Sequence, residues 1–594
     1  MSYRRKKLLA LFCATALSMT AVAGCTGTKS STGNVVSSET ETNAEETSAQ
    51  SEAGTFSSAD MFTERDLAGT YEESGAVYVT LSDDGITGET DGVAINGQMV
   101  TITAEGTYIF SGTLSEGQIV VDADNAKVQI VFDNVDITCA SSAAVYVKSA
   151  EKVFVTLAEG SQNTLRNTDE YVAIDDNNID AVIFSKSDLT LNGTGSLTIV
   201  SAEGHGIVSK DDLKIIGGTY DITAAGHALS GKDSVRIADG TFILTAEKDG
   251  IHAENADDEE KGYIYIADGD FTITSDGDGM DASNIVQIED GTLDITAGGG
   301  AANSLKTHES DMPGGPGGGM PQNGEKLDGE SMPQMGEKPD GENMPQDTTT
   351  DESGTSTKGI KAGGGMYLNG GTYQIDSADD SIHSNANITI ADGTYTLATG
   401  DDGVHADDAL IVNGGTITVT ESYEGLEGLA VTINDGTIDI TASDDGINTA
   451  GEKMELNGGY IHILAGGDGV DSNGDLTING GEIYIDGPSD NGNSAIDYGD
   501  RSSAYVNGGT LVAIGSSGMA EVMSDSSKQK VLMVKLGEQM EAGNVVLTDS
   551  EGNVIVSYTA LKTYDCVIIS TAEVESGATY TLTTSGTTTE VTAE

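Results

Sequence analysis

Tryptophan is absent from this chain of 594 residues, so flat stacking on a ligand lacks its broadest aromatic side chain. Basic residues are scarce, with 28 Lys and Arg against 96 Asp and Glu, which excludes nucleic acid as a partner. The apolar run Leu8 to Ala21 is too short for a membrane span, and no later segment approaches one. Cys139 and Cys566 are far apart in sequence, so inert thiols are expected rather than a disulfide.

The first 58 residues predict export and anchoring. Residues 1–24 combine a basic start with an apolar run, as a signal peptide does. Val22-Ala23-Gly24-Cys25 resembles a bacterial lipobox, which implies a lipid on Cys25. Residues 25–58 are rich in Ser, Thr, Glu and Gly and predict a disordered tether. We therefore expect a lipoprotein on the extracellular face of a bacterial membrane, held there only by its lipid.

A short phrase of sequence repeats through most of the remaining chain. Its second glycine recurs at steps of 22, 22, 21, 23, 22 and 28 residues between Gly371 and Gly509, and it also occurs upstream from Gly218 to Gly291. Self-similarity at such a period predicts a solenoid. Representative copies are Gly-Gly-Thr-Tyr-Gln-Ile (370–375), Asp-Gly-Thr-Ile-Asp-Ile (435–440) and Gly-Gly-Glu-Ile-Tyr-Ile (480–485).

Each repeat of about 22 residues contains three short strands and three turns, which predicts one coil of an all-β parallel β-helix. A single coil cannot bury its own apolar face, so only the stack is expected to fold. Residues 59–195 are strand-rich but irregular and predict an N-terminal cap with irregular coils. Residues 196–515 predict regular coils with a disordered Gly/Met/Pro-rich insertion at 307–358, and 516–594 a C-terminal β cap.

Acidic residues recur at the same corner of successive coils, before the second strand, and a second polar side chain follows two residues after the corner glycine. Carboxylates stacked at ~4.8 Å repel unless a cation lies between them, and hard oxygen ligands suit Ca²⁺. The alternative is that these aspartates bond the amides of their turns. Asp278 with Asp281 and Asp468 with Asp471 are the best pairs. The metal candidates are Asp249, Asp276, Asp278, Asp281, Asp401, Asp402, Asp444, Asp445, Asp468, Asp471 and Asp497.

Three histidines, His252, His383 and His405, share the second polar position. The last two belong to consecutive coils, whereas His252 lies several coils away. No compact three-histidine zinc site is therefore expected, and outward stacked rings are favoured.

The repeats Asp-Gly-Ile-His-Ala (249–253) and Asp-Gly-Val-His-Ala (402–406), the opening at 92–103 and the Gly/Met/Pro insertion carry a family resemblance. The chain resembles, over residues 77–582, the calcium-containing, polysaccharide-lyase-like parallel β-helix proteins of bacterial surfaces that bind cellulose and pectic acid. The resemblance implies a right-handed β-helix, bound Ca²⁺ and carbohydrate binding. It marks no sugar-contacting residue.

Three functions remain open. The first is non-catalytic binding of polygalacturonate or cellulose by a monomer, with cations bridging an acidic glycan to the acidic protein. Exposed aromatic candidates for sugar contact are Tyr263, Tyr265, Tyr423, Tyr484 and Tyr498.

The second function is a calcium-dependent polysaccharide lyase, for which Lys248, Lys306 and Lys361 are the candidate bases. The third is a structural adhesin or spacer, for which a rigid solenoid on a tether suffices.

Overall fold

The computed structural model describes residues 55–306, 356–451, 453–499 and 501–593. Of the described residues, 52% are in strands and 2% in helices. The signal peptide, the lipidation site Cys25 and most of the predicted tether and insertion lie outside the described residues. Within the described ranges, no helix is long and apolar enough to cross a membrane.

Two short helices and twelve strands form the N-terminal part. They are α1 (Ser58–Met61), α2 (Glu64–Leu67), β1 (Val77–Leu81), β2 (Val93–Asn96), β3 (Met99–Ile102), β4 (Gly106–Leu114), β5 (Gln118–Asp122), β6 (Lys127–Thr138), β7 (Val145–Ser149), β8 (Lys152–Leu157), β9 (Gln162–Asn167), β10 (Ala181–Ser185), β11 (Asp188–Gly193) and β12 (Ser196–Ser201).

The regular part continues with strands β13 to β43 and a 3-10 helix at Ala301–Asn303. The strands are β13 (His205–Ser209), β14 (Asp212–Ile215), β15 (Thr219–Ala224), β16 (Leu229–Gly231), β17 (Ser234–Ile237), β18 (Thr241–Ala246), β19 (Ile251–Ala253), β20 (Tyr263–Ile266), β21 (Asp270–Ser275), β22 (Met280–Ala282), β23 (Val286–Ile288), β24 (Thr292–Ala297), β25 (Ile360–Ala362), β26 (Met366–Leu368), β27 (Thr372–Ser377), β28 (Ile382–Ser384), β29 (Ile388–Ile390), β30 (Thr394–Thr399), β31 (Val404–Val412), β32 (Thr416–Glu421), β33 (Leu426–Ile433), β34 (Thr437–Ala442), β35 (Ile447–Thr449), β36 (Met454–Leu456), β37 (Tyr460–Ala465), β38 (Val470–Ser472), β39 (Leu476–Ile478), β40 (Glu482–Asp486), β41 (Ile496–Tyr498), β42 (Ala504–Val506) and β43 (Thr510–Gly515).

The C-terminal part contains six further strands. They are β44 (Leu532–Met540), β45 (Gly543–Thr548), β46 (Val554–Ala560), β47 (Tyr564–Ser570), β48 (Thr579–Thr583) and β49 (Thr588–Thr592).

Most strands in the regular part pair in parallel with the strand three places further on, as β13–β16–β19–β22, β14–β17–β20–β23 and β15–β18–β21–β24 do. Between β29 and β35 the step is two places, because the long strands β31 and β33 each belong to two ladders. Three parallel ladders therefore run along the molecule. The first contains β13, the second β14 and the third β15, and we call them the first, second and third faces. The prediction of an all-β solenoid built from stacked parallel strands is confirmed.

Inward side chains of the three faces form a continuous apolar core of Ile, Val, Leu and Ala. Because the register repeats, like residues stack on like. Phe242, for example, stacks between Tyr220 and Phe271 with ring centroids 5.2 and 4.7 Å away. The alternating polar and apolar residues of the repeat are thus explained by burial of every second side chain, as the burial of β18 illustrates.

Glycine in the repeated phrase is required by both backbone conformation and stacking. Gly459 adopts φ of +82°, and a Cβ at this position would lie 2.6 Å from the carbonyl oxygen of Gly436 in the preceding coil. Other residues are disfavoured on both counts. The glycine that directly precedes a strand of the first face is constrained by space alone. A Cβ on Gly446, for example, would lie 2.5 Å from the carbonyl oxygen of Gly469.

The N-terminal segment packs across the outside of the second face. Phe56 donates its N–H to the side chain of Gln287 at 2.6 Å and packs its ring on Tyr263 at 4.3 Å. Residues 56–58 therefore belong to the folded body and not to the predicted tether. Tyr263 and Tyr265 are buried beneath this segment, so the prediction that they are exposed for sugar contact is wrong.

An ion pair fixes the same segment. Asp66 is fully buried, and its carboxylate contacts Lys152 Nζ at 2.6 Å and accepts the Thr190 hydroxyl at 2.9 Å. Lys214 Nζ lies 4.0 Å away. Burial by itself raises the Asp66 pKa, but the bonds from Lys152 and Thr63 outweigh it and lower the pKa to about 2.

The C-terminal strands extend and cover the end of the third face. Strand β47 pairs antiparallel with β43 and β44, and β45, β46, β48 and β49 form a separate four-stranded sheet. Buried Asp486 accepts the Tyr558 hydroxyl at 2.5 Å and the Leu561 N–H at 2.9 Å, which joins this sheet to the solenoid. Cys139 and Cys566 are both free and buried, as expected.

Substitution Asp66→Asn is expected to destabilise the chain by about 3 kcal/mol, because it leaves two lysines without their buried counter-charge. The wild type should lose the same contribution as the pH falls from about 4 towards about 2, since the carboxylate is then protonated. Denaturant midpoints measured against pH test this. Asp60→Asn, at an exposed position of α1, is the matched control, and equal midpoints for the two variants would contradict the role of Asp66.

Candidate functional site

Two columns of polar side chains lie where the chain turns into the first face, one in the turn and one on the strands that follow it. We call the two columns together the polar corner. The strand column is in register along the first face, each residue directly opposite the next. It consists of His252, Asp281, Lys361, His383, His405, Glu427, Asn448, Asp471 and Asp497.

The corner column lies in the turn, two residues before the first inward residue of each strand. It consists of His205, His227, Asp249, Asp278, Lys358, Asp380, Asp402, Glu424, Asp445, Asp468 and Ser494. The structure therefore brings most of the predicted metal candidates together. Asp276 is exposed and lies outside both columns, whereas Asp401 and Asp444 directly precede the corner residues Asp402 and Asp445.

Corner carboxylates bond along the solenoid through one oxygen. Asp249 Oδ1 accepts the N–H of Asp278 at 2.9 Å, and Asp445 Oδ1 accepts the N–H of Asp468 at 2.6 Å. The same bond joins Asp380 Oδ1 to the Asp402 N–H at 3.1 Å. Each coil thus satisfies a turn amide of the next coil, which is the turn-bonding alternative considered from the sequence. The second oxygen is left facing the strand column.

Along the middle of the corner, the second oxygen meets a cation. Asp380 Oδ2 contacts His383 Nδ1 at 2.8 Å and Lys358 Nζ at 2.6 Å. Asp402 Oδ2 contacts His405 Nδ1 at 3.0 Å. These carboxylates are neutralised by side chains of the chain itself.

Two further lysines act in the same way. Lys361 Nζ lies 3.5 Å from Asp278 Oδ2 and 3.4 Å from Asp281 Oδ1. Lys306 Nζ contacts Asp379 at 2.7 Å and also contacts Asp401. The pKa of each of these two lysines is raised, because nearby aspartates outweigh the effect of burial. At the cation positions predicted beside Asp278/Asp281 and Asp401, lysine ammonium groups therefore already form ion pairs with the carboxylates.

The C-terminal end of the corner differs. Carboxylate oxygens of Asp445, Asp468 and Asp471 all lie within 4.8 Å of one another, and Asp444 and Asp497 lie beside them. In the described ranges, no Lys, Arg or His forms an ion pair with these five groups. Burial, reinforced by the neighbouring carboxylates, raises the pKa of Asp445 to about 8, of Asp468 to about 7 and of Asp471 to about 6.

An amide oxygen adjoins this acidic group. Asn448 precedes Asp471 in the strand column, and its Nδ2 donates to Glu424 Oε2 at 2.9 Å. Its Oδ1 is buried and accepts no hydrogen bond. The three carboxylates are hard oxygen donors of the kind that Ca²⁺ prefers, and the strand position next to Asp471 carries this unused amide oxygen.

Several corner residues were missed from the sequence. Lys358 follows the Asp-Gly-x-His spacing in Lys-Gly-Ile-Lys (358–361), directly after the long insertion, and Lys361 of the same run was considered only as a candidate base. Glu424 and Glu427 obey the same spacing around Gly425, with Glu in place of Asp. Extending the spacing through every coil, whatever the polar residue, would have found them.

In the presence of a chelator, the melting temperature should fall as the pH rises from about 5 to about 8. The folded acidic group holds its protons more tightly than the unfolded chain, whose carboxyls titrate near pH 4, so stability is lost as the group ionises. We expect Asp468→Asn to reduce the loss of stability over this pH range by roughly 1–3 kcal/mol, because the variant has one titrating carboxyl fewer. The turn is kept, since Asn can still accept the Ser494 N–H. Asp435→Asn, at an exposed turn, should leave the profile unchanged, and equal slopes in both variants would contradict this.

Comparisons with known proteins were made with the whole chain. A protein from Acetivibrio thermocellus described as a carbohydrate-binding domain-containing protein is 42% identical over 135 residues, which are 22% of this chain and 47% of the relative. This chain thus spans about half the length of that curated relative.

A solved structure, described as the polysaccharide lyase-like protein from C. thermocellum in a gadolinium derivative, is 37% identical. It covers 38% of this chain and 92% of its own, with a TM-score of 0.37. The family model described as carbohydrate-binding domain-containing protein matches residues 96–403 and 401–579. Because these matches span well over half of the sequence, the chain belongs to the family of carbohydrate-binding domain-containing proteins.

Proposed function

We propose that this protein binds an acidic polysaccharide of the polygalacturonate type without cleaving it, through Ca²⁺ held at the C-terminal end of the polar corner. Membership of a carbohydrate-binding family supports the ligand class. The observation that carries the proposal is the group Asp445, Asp468 and Asp471, whose oxygens converge without a paired cation. An acidic protein attracts an acidic glycan only when a cation bridges the two.

The three carboxylates are a donor set of the kind that Ca²⁺ prefers. Three convergent carboxylates and the free Asn448 Oδ1 offer several hard oxygen ligands with room for more from solvent or glycan. Asp444 and Asp497 add negative charge next to the three ligands. Bound Ca²⁺ would supply positive charge to both the corner and a uronate carboxylate.

We further propose that the solenoid is a right-handed parallel β-helix and that the chain is a monomeric lipoprotein. The N-terminal pattern ending in Cys25 supports export and lipidation to the extracellular face of the membrane. Three parallel ladders with about 22 residues per coil are the arrangement expected of that helix type. A tether before Phe56 would hold the folded body away from the lipid.

Two observations favour binding over lyase chemistry. A lyase of this kind needs an unprotonated base, whereas Lys306 and Lys361 are ion-paired and their pKa values are raised. Lys248, the third candidate, is exposed and forms no ion pair within the described part of the chain. For cellulose, one aromatic surface of the solenoid is formed by Tyr460, which is 42% exposed, and Tyr484, whose ring centroid lies 5.7 Å away.

Retention of the purified chain on immobilised polygalacturonate, with Ca²⁺ and with chelator, tests the proposal. We expect retention in Ca²⁺ that chelator abolishes, with the polymer left intact. The double variant Asp468→Asn/Asp471→Asn should weaken retention about tenfold or more, the effect of losing one charged contact of about 1.5–3 kcal/mol.

Asp435→Asn is the matched control, because it removes one charge from an exposed turn outside the polar corner. Release of unsaturated oligosaccharides would favour the lyase alternative. Retention on cellulose alone, lost in Tyr460→Ala, would replace the acidic ligand with a neutral one. No retention on either polymer would leave the adhesin or spacer.

A further inference from the structure

The N-terminal end of the polar corner carries imidazoles instead of lysines. Asp249 Oδ2 lies 3.0 Å from His227 Nδ1 and 3.0 Å from His252 Nδ1. The rings of His227 and His252 stack with centroids 4.1 Å apart, and His205 continues the stack at 4.9 Å from His227. His227 belongs to the coil before His252, and it completes a group that the column of His252, His383 and His405 did not indicate.

The hydrogen bonds of the corner fix which atoms are acceptors. His205 Nδ1 accepts the His227 N–H at 2.8 Å, and His227 Nδ1 accepts the Asp249 N–H at 3.2 Å. His227 Nδ1 therefore carries no proton, and an ion bound there would take its single lone pair in place of the long 3.2 Å bond from the Asp249 N–H. Two acceptor atoms, this nitrogen and Asp249 Oδ2, then face each other at 3.0 Å, a contact that is unfavourable unless a positive charge is shared between them.

Nδ1 of His252 has no hydrogen-bond partner. His252 Nδ1 is buried and makes no bond of acceptable angle, although Asp249 Oδ2 is only 3.0 Å away. Ligands of one ion point at a common centre and not at each other. A short separation with a poor hydrogen-bond angle is what such ligands show.

Further groups complete the surroundings. Asp281 Oδ2 lies 3.5 Å from His252 Nδ1, while Asp281 Oδ1 is held by Lys361 at 3.4 Å. Glu254 Oε2 lies 3.4 Å from His252 Nε2, the position of a carboxylate that orients a metal-bound imidazole. In the described ranges, Asp249 pairs with no lysine or arginine.

We propose that His227, Asp249 and His252 bind one divalent transition-metal ion of the zinc class, with Asp281 or solvent as the fourth ligand. Two imidazole nitrogens with one carboxylate suit Zn²⁺, Ni²⁺ or Cu²⁺, whereas Ca²⁺ takes oxygen ligands. The ligands come from successive coils, so the ion ties coils together at the end of the polar corner opposite the calcium group. The site is independent of glycan binding.

The test is calorimetric titration of the metal-free, full-length chain with Zn²⁺ in excess Ca²⁺, which fills the all-oxygen sites. We expect one tightly bound Zn²⁺ and a rise in melting temperature on binding. His227→Gln and His252→Gln should each weaken binding by more than the roughly 10-fold that loss of an outer-shell partner costs. His405→Gln is the matched control, because His405 also contacts an aspartate three residues before it.

Zinc affinity that is unchanged in His252→Gln, or lost instead in His405→Gln, would overturn the proposal. A measurement on the wild type covers the case in which a variant does not fold. X-ray absorption of the chain loaded with one equivalent of Zn²⁺ should show two imidazole ligands, and a shell of oxygen atoms alone would overturn the assignment.

Discussion

Stacking of near-identical coils places each side chain directly over its counterpart at about 4.8 Å, and the rest of the molecule depends on this constraint. For apolar residues the repetition is favourable, because columns of Ile, Val and Leu form one continuous core. For acidic residues it concentrates like charge. The polar corner is where the chain, with 96 acidic and 28 basic residues, must offset that repulsion.

The groups that offset the repulsion between carboxylates change along the solenoid, while the main-chain geometry stays the same. One carboxylate oxygen accepts an amide of the next coil, as Asp249 and Asp445 both do. The other oxygen meets imidazoles near Asp249 and an ammonium group near Asp380. Asp468 lies beside other acids and, within the described residues, forms no ion pair with a Lys, Arg or His. Side-chain cations and the metal ions that we propose at the two ends of the polar corner are thus alternative solutions to one electrostatic problem.

Much of this arrangement could be predicted from the sequence, because a fixed spacing fixes the register. The pairs Asp278/Asp281 and Asp468/Asp471 lie at the same corner, as the period indicates. The spacing does not show which cation neutralises each pair. Lys361, for example, pairs with Asp281 although the long insertion separates the two residues in sequence. The burial of Tyr263 could not be predicted either, because the segment that covers it, at Phe56, lies about 200 residues away in the chain.

The most direct measurement is a crystal structure of the chain grown with Ca²⁺, with the ions located by anomalous scattering. The account predicts a calcium ion bound by Asp445, Asp468 and Asp471, and none between Asp278 and Asp281, where Lys361 lies. Calcium displacing Lys361, or no calcium at the C-terminal group while its carboxyls stay protonated, would contradict it.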